Sequence, residues 1–351
     1  MVIWRRPLAL ASFVLLLTAT SMLAQSKDPQ PRKLSNDEKK DLQAISAMLN
    51  GSGAQASQND LSMAWGGSDL LKAQGNKEYV PFTVTIDPSK STAGKVSFYW
   101  RVVAKDAAPA AADAKKDDKK DDKDKKAGGQ QYAFENLHSI DIPKTAAAPM
   151  RISRSFVVPA GSYDLIVVAK EPDPKKKSDP PAKMSVLRQP ITVPDLWNNE
   201  LTTSSVIVAE RIDPLPAPLT PAQIEERPYA LGNMEILPAT STKFTKKNEL
   251  SVFLLIYNAK IDAANAPDVT VEYNFYSLQG GAEKFFNKTN PQSLNAQTLP
   301  AGFDPAAGIT NGQTVPLASF PEGDYRLEIK VTDKQANKSL TRDVKFSVAG
   351  A

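Results

Sequence analysis

Cysteine is absent from the 351 residues, which excludes disulfides, thiolate nucleophiles, thiolate metal ligands and lipid attachment through a lipobox cysteine. Histidine is reduced to His138. One imidazole cannot build a multi-histidine metal site, and no serine carries a signature that would pair it with this base, so His138 is read as structural. An excess of one charge is also missing: 43 basic and 39 acidic residues leave a formal net charge of +4. That is too weak a field to recruit a polyanion, and no nucleic-acid partner is expected. Past the amino terminus no stretch approaches the roughly 20 apolar residues of a spanning helix, so the mature chain is expected to have no membrane span. G-x-S-x-G, H-E-x-x-H and phosphate-loop patterns are absent, and no cofactor is expected.

What is present begins with a leader. Arg5 and Arg6 precede an apolar run from Leu8 to Leu17, and small and polar residues follow around Ala24-Gln25. This is the three-part build of a secretory signal peptide over 1–24. It predicts a periplasmic or extracellular protein; the alternative is a chain anchored by an uncleaved segment covering Leu8 to Ala24. Residues 25–60 read as a flexible lead that carries one short helix over 36–49. Ser35 and Glu38 form a capping box, Leu42, Ile45 and Leu49 share one face, and Asn50-Gly51 is expected to supply a left-handed stop. That stripe suits either a partner or, more commonly, the protein's own surface.

From Leu61 the period changes to two. Val80, Phe82, Val84 and Ile86 alternate with Pro81, Thr83 and Thr85, and Phe98, Trp100 and Val102 alternate with Tyr99 and Arg101. Pro81 suggests an edge strand or a strand start, because it has no N–H for a ladder. The alternation stops at an insert over 105–130, where residues 105–126 hold eight lysines and seven aspartates with alanine and proline. With no periodic apolar residue it is expected to be disordered. Its aspartates could bind calcium in principle, but glycine at the required turn is missing and the interleaved lysines compete for the carboxylates. Strands resume around Phe134, His138 to Ile142, Arg151 to Val158 and Tyr163 to Lys170. A second polar insert, with four lysines and four prolines in 13 residues, separates the last of these from Met184 to Val193. These strands make a first domain over 61–195. A second, over 196–351, contains a proline-rich connector with a helix start at Thr220-Pro221 and strands near Ser204 to Ala209, Met234 to Leu237, Glu249 to Asn258, Asp268 to Leu278, Glu283 to Asn287, Gln313 to Ser319, Tyr325 to Thr332 and Leu340 to Val348.

The two domains repeat each other. Pro159-Ala160-Gly161-Ser162-Tyr163-Asp164-Leu165 recurs as Pro321-Glu322-Gly323-Asp324-Tyr325-Arg326-Leu327, and Val96 to Val102 has a counterpart in Val269 to Phe275. Tyr163 and Tyr325 are the expected corner residues, each sending its hydroxyl to nearby backbone, with Gly161 and Gly323 needed for positive φ. The Pro-x-Gly-x-Tyr-x-Leu turn and strand resembles bacterial immunoglobulin-like and fibronectin-like modules of cell-envelope proteins. The runs Tyr79-Val80-Pro81-Phe82-Thr83 and Arg227-Pro228-Tyr229-Ala230-Leu231-Gly232 look like secreted bacterial proteins of unassigned function. The resemblance implies an all-β chain with two immunoglobulin-like β-sandwich domains in tandem, and display, adhesion or scaffolding rather than chemistry. It carries over no functional residue.

The expectation is therefore a non-catalytic exported protein that binds a protein or polysaccharide of the cell envelope. Trp65, Trp197, Tyr276, Phe285 and Phe286 are the candidate binding aromatics if exposed; buried, they are core. The alternative is an envelope assembly factor or structural subunit that pairs by strand addition. A hydrolase using Glu225, Glu226, Glu283 or Asp324 would need two carboxylates opposed across a cleft, which no spacing here requires.

Overall fold

A computed structural model describes residues 33–51, 58–105 and 132–350, apart from 144, 146, 148, 175, 177 and 301. The expected signal peptide lies outside the described residues, as does the Lys/Asp-rich insert beyond residue 105. The fold is all-β. Among the described residues only α1 (Asn36–Asn50), α2 (Pro221–Glu226) and two single 3-10 turns are helical.

The first half contributes β1 (Ala64–Ser68), β2 (Leu71–Ala73), β3 (Lys77–Ile86), β4 (Lys95–Ala104), β5 (Phe134–Asp141), β6 (Met150–Val158), β7 (Gly161–Lys170) and β8 (Met184–Val193). They form two antiparallel sheets. In one, β3 pairs with β6 on one side and with β1 and β2 on the other; the second has the order β5-β4-β7-β8. The alternating apolar residues of both sheets meet in one core, with Val80, Phe82 and Val84 facing Phe98, Trp100, Leu165 and Val167. β3 is thus a central strand, which corrects the expectation that Pro81 marks an edge. Pro81 sits where β1 hands over to β2: its carbonyl accepts from the Asp69 N–H at 2.9 Å, and the break in the ladder needs no N–H from position 81.

The second half contributes β9 (Thr202–Thr203), β10 (Ile207–Pro214), β11 (Ala230–Leu231), β12 (Met234–Pro238), β13 (Lys243–Thr245), β14 (Glu249–Tyr257), β15 (Val269–Gln279), β16 (Ala282–Lys288), β17 (Gln292–Leu294), β18 (Ile309–Pro316), β19 (Gly323–Asp333) and β20 (Lys338–Ala349). The order β5-β4-β7-β8 recurs here as β16-β15-β19-β20, and β1-β3-β6 recurs as β10-β14-β18. Register carries the repeat to single residues. Tyr163 lies opposite Ala104 and Tyr325 opposite Ser277, which places Trp100 and Tyr273 at matching positions. Both rings are buried and both spend their polar end across the core, Trp100 on the Ser155 carbonyl and Tyr273 on Asn311. Four added segments of two or three residues, β9, β11, β13 and β17, extend these sheets beyond the expected strands.

The two turns that announce the repeat close in the same way by different means. The Tyr163 hydroxyl donates to the Pro159 carbonyl at 2.9 Å, and the Tyr325 hydroxyl to the Pro321 carbonyl at 2.7 Å. Gly323 has φ +145°, a conformation that favours glycine. Gly161 does not, which corrects the expected positive φ at both sites. Glycine is needed there for space, since a Cβ would stand 3.2 Å from the Tyr163 ring and hydroxyl.

The helix α1 packs on its own chain. Ile45 and Leu49 lie against Tyr99, Leu137, Ile166 and Val168, the second apolar face of the β5-β4-β7-β8 sheet. The half-buried Leu42 flanks them. Asp41 fixes the docking, accepting from Ser97 at 2.6 Å and from the buried Lys170 ammonium at 2.9 Å. Ser35 caps as its sequence indicates, with the Glu38 N–H reaching its hydroxyl at 3.2 Å and its own N–H reaching Glu38 Oε2 at 2.8 Å. Gly51, at φ −80°, is extended rather than left-handed. Its N–H closes the last turn on the Ala47 and Met48 carbonyls, so no left-handed stop is required. Ser35→Ala is expected to cost α1 about 1 kcal/mol, measured as faster amide exchange confined to residues 36–50; unchanged exchange there would show that the cap contributes nothing.

The halves join through a third apolar cluster, in which Leu71, Tyr79 and Val157 of the first meet Leu196, Tyr229, Met234, Phe253 and Tyr257 of the second. Polar groups bond across this seam, although Glu78 Oε2 is buried without a partner. Tyr79 donates to the Pro228 carbonyl at 2.9 Å, Tyr229 to Asp69 at 2.9 Å, the Lys72 ammonium to Asn258 at 2.6 Å, and the Leu196 N–H to the buried Glu78 at 3.2 Å.

Candidate binding surface

The five candidate aromatics separate by what covers them. Trp65, on β1, stacks on Phe82 at 6.0 Å between ring centres and belongs to the first core. Trp197 is half-buried at the junction, where its indole N–H donates to the Lys77 carbonyl and the Lys72 ammonium sits 4.4 Å above its ring. Phe286 turns inward against Phe320 and Tyr325. Only Tyr276 and Phe285 remain on one outer face, and Phe285 is 54% exposed.

Strand pairing brings these two together. Tyr276 of β15 lies opposite Phe285 of β16 on one side and Arg326 of β19 on the other, and Arg326 lies opposite Lys345 of β20. The result is a row across the sheet: Phe285 stands edge-on to Tyr276 at 5.9 Å, and the Arg326 guanidinium covers the Tyr276 ring at 4.4 Å. Phe285 and Phe286 reach opposite faces because successive strand residues alternate, and the register slip between Phe275 and Tyr276 sets Phe285 on the outer face opposite Tyr276.

Arg326 organises the polar rim. It grips Glu283 through two bonds of 2.6 and 2.9 Å, and its remaining amino group reaches Asp343 at 2.6 Å and Glu328 at 3.1 Å. The bonds to Glu283 raise the guanidinium above its ordinary value, and the same bonds hold the Glu283 carboxyl below the usual range. The platform is therefore an apolar ledge whose border is one guanidinium held by three carboxylates, suited to stacking and hydrogen bonding.

The carboxylates that a hydrolase would use fall in two separate places. Glu225 and Glu226 lie on α2, with Glu225 3.7 Å from His138, while Glu283 and Asp324 flank Leu278 on neighbouring strands of the distant second-half sheet. A glycosidase general acid needs a raised carboxyl, and Glu283 is held low. His138 itself faces inward on β5, edge-on to Trp100 at 5.2 Å. Among the described residues no group of three or more histidines and carboxylates is placed to hold a metal ion. An open groove of about 1200 Å³ runs between the start of α1 and the segment after β7, but its acids include Asp41 and Glu171, both already bound by protein donors.

The sequence did not flag Arg326, nor the meeting of Tyr79, Tyr229 and Tyr257 at the junction. The runs Tyr79 to Thr83 and Arg227 to Gly232 touch each other through Tyr79 and Pro228 and through Tyr229 and Pro81. The signal was present as two aromatic-proline runs, one in each half. No protein-family model matches the chain, and no curated protein matches it.

Proposed function

We propose that this is a non-catalytic exported protein, two immunoglobulin-like sandwiches in tandem, that binds a protein or polysaccharide of the cell envelope through the ledge of Phe285, Tyr276 and Arg326. The observation that carries the reading is the exposure of Phe285 beside a second ring and a guanidinium already locked in place. A surface aromatic fixed before binding loses little entropy on contact, which favours such rings as anchors. Export rests on the leader over 1–24, and the packed apolar junction between the halves supports a display role. The alternative is retention at the membrane by an uncleaved leader, which fractionation and the mass of the mature chain decide.

The test pairs cross-linking in the native envelope from position 285 with a glycan array. Phe285→Ala is expected to change stability by no more than about 1 kcal/mol and to remove the captured partner. Capture that survives Phe285→Ala, or no partner in either assay, would sink the proposal.

A further inference from the structure

The helix α2 belongs to the proline-rich segment of the second half yet packs on β6 of the first. β6 is an edge strand: among the described residues it pairs only with β3. Among the described residues its facing partner across the sandwich, β5, pairs only with β4, so both described sheets end on this side. An open edge of nine residues is a template for a foreign strand unless something covers it.

The cover is light and its chemistry specific. α2 has six residues, none of them buried, in a segment with prolines at 214, 216, 218, 221 and 228. Just beyond it the chain is pinned by Tyr79 on the Pro228 carbonyl and by Tyr229 on Asp69. Beneath it lie basic side chains. Arg154 shares the inward face of β6 with Ile152 and Phe156 and is 7% exposed, its guanidinium 6.0 Å from the Phe98 ring and its Nε without a partner. His138 stands beside it on β5. Each basic side chain here faces a carboxylate of the second half: Glu225 lies 3.7 Å from His138, Glu225 and Glu226 act on Arg154, and Glu210 binds Arg151. Inward-pointing charge on an edge strand keeps unwanted strands away. It also defines which strand could be accepted, one that brings carboxylates.

We propose that α2 is a displaceable cover over the edge of β6, and that this edge accepts an extended acidic segment of a partner chain by strand addition, the incoming carboxylates taking the places of Glu225 and Glu226 beside His138 and Arg154. The site is separate from the aromatic ledge and stands or falls independently of it. It gives the strand-addition reading a location and a partner chemistry, with α2 as an internal competitor that holds the edge closed until such a segment arrives.

A labelled peptide, Thr-Glu-Val-Glu-Val-Glu-Thr, titrated into the full chain by fluorescence anisotropy tests this, with amide exchange to locate it. Glu225→Gln with Glu226→Gln removes the competing charges and is expected to tighten binding about tenfold. Protection on binding is expected over 150–158. Arg154→Met is expected to abolish binding. Should that variant fail to fold, the same peptide with lysine at each glutamate position provides the control on the intact protein and is expected not to bind. Equal binding of the lysine peptide, protection confined to any other strand, or no binding to the folded double variant would each overturn the proposal.

Discussion

Glu171→Ala is expected to lower the unfolding free energy by about 3 kcal/mol, a large share of a typical domain's stability. Glu171 follows β7 directly and is 2% exposed. Its carboxylate accepts from the Thr92 N–H at 2.6 Å, the Ala93 N–H at 3.1 Å, the hydroxyls of Ser91 and Thr92 at 2.9 and 3.0 Å, and the Lys183 N–H at 3.3 Å. One side chain thereby ties the β3–β4 connection to both ends of the loop between β7 and β8. Burial raises its carboxyl, but the bonds from Thr92, Ser91 and Ala93 outweigh this and hold it below the ordinary 4.5. A carboxyl held low stabilises the fold above its unfolded value, and the contribution is lost as pH falls through the folded value. Glu171→Gln removes that dependence and turns an amide N–H₂ toward donors. Urea unfolding should therefore show wild type well above Glu171→Gln at pH 7, with the gap closing below about pH 4. A gap that is constant in pH would mean that the cluster acts by shape and not by charge.

Much of the architecture was legible because strand alternation is a local property. β8 has the bounds its apolar alternation indicates, Met184 to Val193, and the capping box at Ser35 forms as written. The core-facing set in β3 and β4 was equally plain. What covers the other face was not. Tyr99, Ile166 and Val168 are buried under α1, and the continuous apolar run of β7, Leu165 to Ala169, is the mark of a strand covered on both sides. The covering element lies more than a hundred residues upstream of β7, beyond the reach of any periodicity argument. In the second half the matching face is polar, with Glu328 and Lys330 where β7 has Ile166 and Val168.

The candidate surface depended on events that local pattern does not encode. Phe285 and Phe286 are adjacent and chemically alike, and a bulge in the β15–β16 hairpin decides which of them reaches solvent. Arg326 reads as one more outward charge on an alternating strand. Its role arises only when β16 brings Glu283 across β15 and β20 brings Asp343. Pro81 failed as an edge marker for the same kind of reason, since the gap it occupies is created by β1 and β2 rather than by β3.

Asp69→Asn is expected to do the opposite of Glu171→Gln and stabilise the protein at neutral pH. Asp69 lies between β1 and β2 at the junction of the halves, with its carboxyl turned inward to the buried Tyr229 hydroxyl at 2.9 Å. Burial pushes the carboxyl up from 3.8 to about 6, against the smaller pull of the Tyr229 bond. Burial, and then Asp69, raise the Tyr229 hydroxyl well above its ordinary range, so Tyr229 remains the donor. A rise from 3.8 to about 6 is worth about 3 kcal/mol. The folded chain holds this proton more tightly than the unfolded chain, so the stability it represents is complete below about pH 4 and gone above about pH 6. Asparagine keeps an acceptor for Tyr229 and carries no charge. Thermal unfolding should find the variant close to wild type at pH 4 and more stable at pH 7, by about 2 kcal/mol once the unpaired amide N–H₂ is allowed for. A variant less stable than wild type at pH 7, with the same pH profile, would mean that the ionised carboxylate is well solvated where it stands. Because Asp69 and Tyr229 belong to different halves, the cost of ionising Asp69 falls at their junction: the Tyr229 bond favours the charged form, and burial of the carboxyl outweighs it.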